Sequence, residues 1–139
     1  MIDVQEGALT DELKDTIQSW FQQHATSQVG GDKKFDPVTF VATEDNKVVG
    51  VIVVELFWGA LHIKTLIVDE HYRGCGVGSR LMQRALLYGL DHGCSFAYVE
   101  TLSFQALEFY KNMGFSLDFT RSGYAHNSSF HYLSKPLSS

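Results

Sequence analysis

The chain has 139 residues, 45% hydrophobic and 19% charged, enough apolar content for one domain, residues 1–139, whose core needs no disulfide or metal. Its formal net charge of −5 weighs against a nucleic-acid partner, whose backbone asks for a concentrated basic patch. The polar, acidic start does not read as a signal peptide. The longest apolar run, residues 48–56, is broken by Gly50 and Glu55, far short of the ~20 residues of a membrane span. A cytoplasmic protein without a membrane partner is therefore expected.

Thr10, Asp11 and Glu12 precede Leu13, Ile17, Trp20 and Phe21, an apolar row at helical spacing that predicts a helix over residues 10–24. Residues 29–37 read as a loop. Two β-rich runs follow, 38–43 and 47–55, parted by Glu44, Asp45 and Asn46 as a hairpin. A third run, 59–68, alternates so that Leu61, Ile63, Thr65 and Ile67 share one face, with Leu66 and Val68 on the other.

The period then changes. Val77, Leu81, Ala85 and Tyr88 fall on one side of a helix that opens at Gly76 and stops at Gly93. Residues 96–101 form another strand. Ser103 can cap a short helix with Ala106, Phe109, Tyr110 and Met113 inward and Gly114 at its end. Residues 115–120 and 130–134 close the chain as two β segments. This order is α/β, and the connection from the third strand through a helix to the fourth implies a crossover and a parallel pair, with antiparallel hairpins on either side.

The most informative stretch is Arg73-Gly74-Cys75-Gly76-Val77-Gly78-Ser79, between a strand and a long amphipathic helix. Glycines admit backbone angles and close approaches that a side chain would block, and the first amides of a helix have no internal partner and attract negative charge. A pyrophosphate fits such a turn, held by the amides from Cys75 to Ser79 with Arg73 or Arg80 adding charge. Glycine pairs also make plain tight turns. The full Gly-x-Gly-x-x-Gly spacing of a dinucleotide fold is absent, as is any Gly-Lys-Ser/Thr phosphate loop. Cys75 and Cys94 show neither zinc nor redox spacing, and the six histidines are scattered, so no metal is expected.

Residues 72–82, YRGCGVGSRLM, resemble the acetyl-coenzyme A motif of the GCN5-related N-acetyltransferase (GNAT) family, with Arg73, Gly76 and Gly78 at its marked positions. Residues 100–115, ETLSFQALEFYKNMGF, resemble a later helix of the same family. The resemblance extends over residues 35–137. It implies a GNAT-like acyl-CoA N-acyltransferase fold, a mixed, strongly twisted sheet whose central parallel strands splay, flanked by helices.

It also implies that acetyl-CoA is the acetyl donor. The backbone of Leu66, Ile67 and Val68 would hold the pantetheine arm, and residues 73–79 the pyrophosphate. Ser103 stands where many family members have an asparagine that contacts the cofactor, and Ala106 and Tyr110, on one face of the helix that follows, would line the donor site with it. The implied reaction moves acetyl to a primary amine, on a small molecule or a peptide, by direct attack in a ternary complex. A non-catalytic acyl-CoA binding or sensing module is the alternative, and a homodimer is left open.

Thioester aminolysis needs a neutral amine and a proton for the departing thiolate. Tyr110 is the candidate acid, or else a core aromatic. Glu55 and Glu100 are the candidate bases. His62, on the face opposite Leu61 and Ile63, reads more readily as a solvated strand histidine. Phe57, Trp58 and Tyr72 could line an acceptor pocket. The loop around Asp36, and Tyr124, His126 and His131 near the last hairpin, could wall it.

Overall fold

The computed structural model describes residues 1–29, 37–102 and 104–137. The chain falls into two units, Met1–Lys34 and Phe35–Ser139. The first carries α1, Asp11–Val29, which is capped as its sequence asks: Thr10 Oγ1 accepts from the Leu13 amide at 3.1 Å. Asp11 and Glu12 complement the dipole in its first turn. The helix runs five residues beyond the sequence expectation. Most of the expected 29–37 loop, with Asp36, lies outside the described residues, as does Ser103.

The second unit is a six-stranded sheet with two helices. Its elements are β1 (Val38–Glu44), β2 (Lys47–Phe57), β3 (Ala60–Val68), α2 (Val77–Asp91), β4 (Phe96–Thr101), α3 (Phe104–Asn112), β5 (Ser116–Tyr124) and β6 (Ser128–Pro136). The strand order is β1-β2-β3-β4-β6-β5, with every neighbour antiparallel except β3 and β4. Asp45 and Asn46, at φ of 51° and 65°, make the two-residue turn between β1 and β2, a backbone shape that asparagine and aspartate tolerate and that matches strand twist.

The third strand departs from simple alternation. In the β2–β3 ladder Val53 faces Thr65 but Val54 faces Ile63, so Lys64 is an inserted residue, a β-bulge. Leu61 and Ile63 therefore share a face with Leu66 and Val68, the partners of Leu56, Val54, Ile52 and Gly50. Thr65 and Ile67 lie opposite. The expected grouping of Leu61 and Ile63 with Thr65 and Ile67 is thus corrected: one extra residue reverses every side chain after it.

The core lies on the helix-covered face. Ile52, Val54, Leu61, Ile63, Ala97, Val99 and Leu133 of the sheet pack with Leu81, Met82 and Ala85 of α2, Leu107 and Tyr110 of α3, and Phe115. Burying each large aliphatic side chain contributes roughly 1.5–3 kcal/mol. Gly89 lets α2 sit close, since a Cβ there would come within 3.0 Å of Leu61 Cδ2. Gly93, at φ 76°, ends the helix as the sequence predicts, and the Cys94 amide turns back to the Gly89 carbonyl at 2.9 Å.

The parallel pair is short. β3 and β4 are partnered only from Ala60 to His62 against Phe96 to Tyr98. Beyond His62 the two strands part, while β3 stays paired to β2 through Val68 and β4 to β6 through Thr101. This is the splay that the family resemblance implies.

Candidate active site

A cavity of about 540 Å³ opens where β3 leaves β4. Leu66, Ile67 and Val68 line one side. Tyr72, Arg73, Gly74, Gly76, Val77, Gly78 and Ser79 line the end, and Ala106, Phe109 and Tyr110 of α3 the other side. Eleven of these thirteen residues were singled out in the sequence for the donor site. Tyr72 and Phe109 were read otherwise, as acceptor-pocket and inward-facing helix aromatics.

The turn at its end is built by local rules. Asp69 caps a single 3-10 turn, Glu70–Tyr72, by accepting from the His71 amide at 2.8 Å. Gly74 and Gly76 then take φ of 79° and 83°, the left-handed region that side chains disfavour, with nothing within 4 Å of where a Cβ would stand. The first intrahelical bond of α2 runs from the Arg80 amide to the Gly76 carbonyl at 3.1 Å. The amides of Val77, Gly78 and Ser79 thus precede the helix ladder and carry the positive end of its dipole.

Cys75 differs from the sequence expectation. Its amide donates to the Tyr72 carbonyl at 3.3 Å, its thiol is exposed and it does not line the cavity. The amides available to an anion accordingly begin at Gly76.

Along β3 the backbone edge that would face β4 has no strand partner after His62 among the described residues. Peptide groups on such an edge need hydrogen bonds from elsewhere, and an amide-bearing chain laid beside Leu66–Val68 would supply them. The residues therefore fit coenzyme A part by part. Helix amides suit its pyrophosphate, an open strand edge suits its pantetheine amides, and an apolar wall meets the acyl end.

Tyr110 is only 6% exposed, with Phe109 and Phe115 edge-on at ring-centroid distances of 5.4 and 5.7 Å. Burial pushes its hydroxyl above the ordinary tyrosine range, so it stays a proton donor. It belongs to the core and lines the cavity at once, so the two readings of this residue do not compete. Tyr72 is also raised, by its hydrogen bond to the Glu44 carboxylate and by that group's charge.

The two candidate carboxylates occupy the opposite face of the sheet. Glu55 pairs in register with His62, and its carboxylate accepts from Lys64 Nζ at 3.3 Å. Glu100 lies 2.9 Å from His62 Nε2. His62 stacks on Tyr98, ring centroids 4.4 Å apart and planes within 4°. His62 is thus a bound, oriented side chain rather than a solvated one. Burial first, then the charges of Glu100 and Glu55, raise the Tyr98 hydroxyl.

Other candidates fall away from this region. Phe57 and Trp58 sit at the turn before β3, a strand length of roughly 25 Å or more from Val68. His131 is buried and bonded through Nδ1 to Thr120 Oγ1 at 3.0 Å, a structural position. Among the described residues no group of three or more His, Cys, Asp or Glu side chains is placed to hold a metal ion.

A glycine turn on a helix N-terminus, a splayed parallel pair and a tyrosine lining the cavity between them have the shape and chemistry that suit an acyl-CoA. A model of the acetyltransferase (GNAT) family matches residues 6–115, and the chain belongs to that family. It is 36% identical over 100 residues to the blasticidin-S acetyltransferase of Streptomyces morookaense, covering 71% of this chain and 74% of that one. An acetyltransferase structure from Bacillus cereus superposes with a TM-score of 0.84 at 26% identity, covering 98% of both chains. An Agrobacterium tumefaciens structure gives 0.87 at 24% identity, covering 98% of this chain and 99% of that one, a likeness of fold.

Proposed function

We propose that the chain transfers the acetyl group of acetyl-CoA to a primary amine, by direct attack in a ternary complex, with Tyr110 as general acid. Acetyl-CoA-dependent acetyl transfer is the activity of the family. The observation that carries the finer reading is that one continuous cavity joins the α2 N-terminus to the Tyr110 ring along the edge of β3 that has parted from β4. Bound acetyl-CoA supplies the reactive thioester. The protein's part is to hold the pyrophosphate on the amides of residues 76–79, to keep water from the apolar middle, and to offer the Tyr110 proton to the departing sulfur.

The acceptor is an amine-bearing small molecule or a peptide amine. The acidic balance of the chain and the Glu55 and Glu100 carboxylates favour a cationic one. The relationship to a blasticidin-S acetyltransferase makes blasticidin S the first acceptor to try, followed by a panel of small amines and peptide N-termini. Release of free thiol from acetyl-CoA, with the acetylated amine identified by mass, tests the reading. Tight acetyl-CoA binding with no turnover on any amine would favour a binding or sensing module instead.

A further inference from the structure

We propose that His62, oriented by Glu100, is the base that takes the proton of the incoming ammonium at the apex of the splay. The inference rests on the amine-acetylation reading and names a group for its least determined step. His62 is the last β3 residue partnered to β4 before the strands separate. Alternation places it on the sheet face opposite Leu61 and Ile63, and Glu100 on the face opposite Val99. Tyr110 packs in the core on the other side. The gap between the strands is thus flanked by a proton donor on one face and an imidazole on the other.

The local geometry suits a base. With Glu100 accepting from Nε2–H at 2.9 Å, the lone pair of the ring resides on Nδ1. The Tyr98 stack fixes the ring plane. Side-chain exposures of 22% for His62 and 29% for Glu100 leave the pair reachable by a substrate yet partly desolvated. The charged and titratable groups gathered around it are Glu55 from β2, Lys64 from β3, Tyr98 and Glu100 from β4, and Tyr132 from β6, in register with Glu100. Glu55 is held by Lys64, which leaves Glu100 as the carboxylate that bonds the imidazole.

The proton count closes. An ammonium brings three protons, of which the product amide keeps one. His62 Nδ1 takes one and passes it to solvent, its imidazolium form stabilised beside the Glu100 carboxylate. The lone pair so freed makes the C–N bond as the C–S bond breaks. Tyr110 protonates the thiolate and regains its proton, through solvent, from the nitrogen.

The test is kcat/KM for wild type, His62→Gln and Glu100→Gln, with the acceptor on which wild type turns over and with acetyl-CoA affinity measured separately by calorimetry. His62→Gln is expected to bind acetyl-CoA as wild type does. It should lose at least about ten-fold in kcat/KM. Glu100→Gln keeps an acceptor for Nε2–H but withdraws the carboxylate that faces the imidazole as it takes the proton, so its kcat/KM should fall at unchanged acetyl-CoA affinity. Added imidazole should restore part of the activity of His62→Ala. Wild-type kcat/KM in His62→Gln or Glu100→Gln, or no rescue of His62→Ala by imidazole, overturns the assignment. Loss of acetyl-CoA binding in wild type would instead count against the proposed function itself.

Discussion

His62 and Glu100 are 38 residues apart in sequence, and their side chains meet at 2.9 Å where β3 and β4 cease to pair. The contact spans the parallel pair of the sheet. It exists because the crossover through α2 brings the start of β4 beside the start of β3, so that a residue two beyond the last partnered position reaches back to the imidazole. The same parting of the strands opens the cavity against which Tyr110 is set, and the consequences can be measured at each of these positions.

Tyr110→Phe keeps the ring and its edge contacts to Phe109 and Phe115 but removes the proton. The variant is expected to bind acetyl-CoA with unchanged affinity and to lose at least about ten-fold in kcat. Steady-state turnover under conditions where chemistry limits the rate, beside a calorimetric titration, checks both halves. Wild-type turnover would leave Tyr110 a core aromatic only.

The raised Tyr110 hydroxyl also has a signature in stability. The folded state holds this proton above the pH at which the unfolded chain, near pH 10, releases it. In that window the native state binds more protons, so the stability from Tyr110 is complete below about pH 10 and falls as pH rises through the folded value. Urea midpoints across about pH 9 to 11 should decline less steeply in Tyr110→Phe than in wild type. Some slope should remain, because Tyr98 is raised as well.

The bulge at Lys64 predicts unequal costs at two nearby positions of β3. Ile63, 1% exposed, lies in the core, and Ile63→Ala should cost about 2–5 kcal/mol. Thr65 is exposed on the other face, and Thr65→Ala should stay within about 0.5 kcal/mol. Chemical denaturation of the two variants reads the difference. Equal costs would restore the simple alternation.

That alternation marks the limit of what the sequence made legible. Every strand and helix of the sheet unit was evident from periodicity and glycine punctuation, and the parallel pair followed from the strand–helix–strand order. Eleven of the thirteen cavity-lining positions were readable, most of them because the chemistry of a phosphate turn is local. The bulge was not, since an inserted residue leaves no mark on a run as uniformly β-prone as ALHIKTLIV. The bond between His62 and Glu100 was not either, since it depends on register between strands separated by a whole helix. The Cys75 amide was assigned to the anion because motif spacing does not reveal that the preceding 3-10 turn takes it.

The turn glycines separate in a further way. Gly76→Ala places a Cβ at φ 83°, costing about 1–2 kcal/mol in stability and weakening acetyl-CoA binding by distorting the turn. Gly78 has helical geometry, and its added Cβ would make ordinary contacts of 3.5 Å to Phe109 and 3.7 Å to Val68. Gly78→Ala should therefore be neutral or stabilising by up to about 1 kcal/mol. Thermal melts of the two variants show whether the contrast holds.

The central claim, that acetyl-CoA is bound on the α2 N-terminus, is tested most directly by calorimetric titration of acetyl-CoA into wild type and Ser79→Glu. A glutamate in the first turn of a helix favours the helix dipole, so the fold should be retained or slightly stabilised. The same carboxylate stands where the pyrophosphate is to bind, and like charges in close approach repel. Wild type should bind acetyl-CoA, and Ser79→Glu, with an undiminished melting temperature, should bind it at least about ten-fold more weakly, a difference of about 1.4 kcal/mol. Equal affinity in the two proteins would contradict the account.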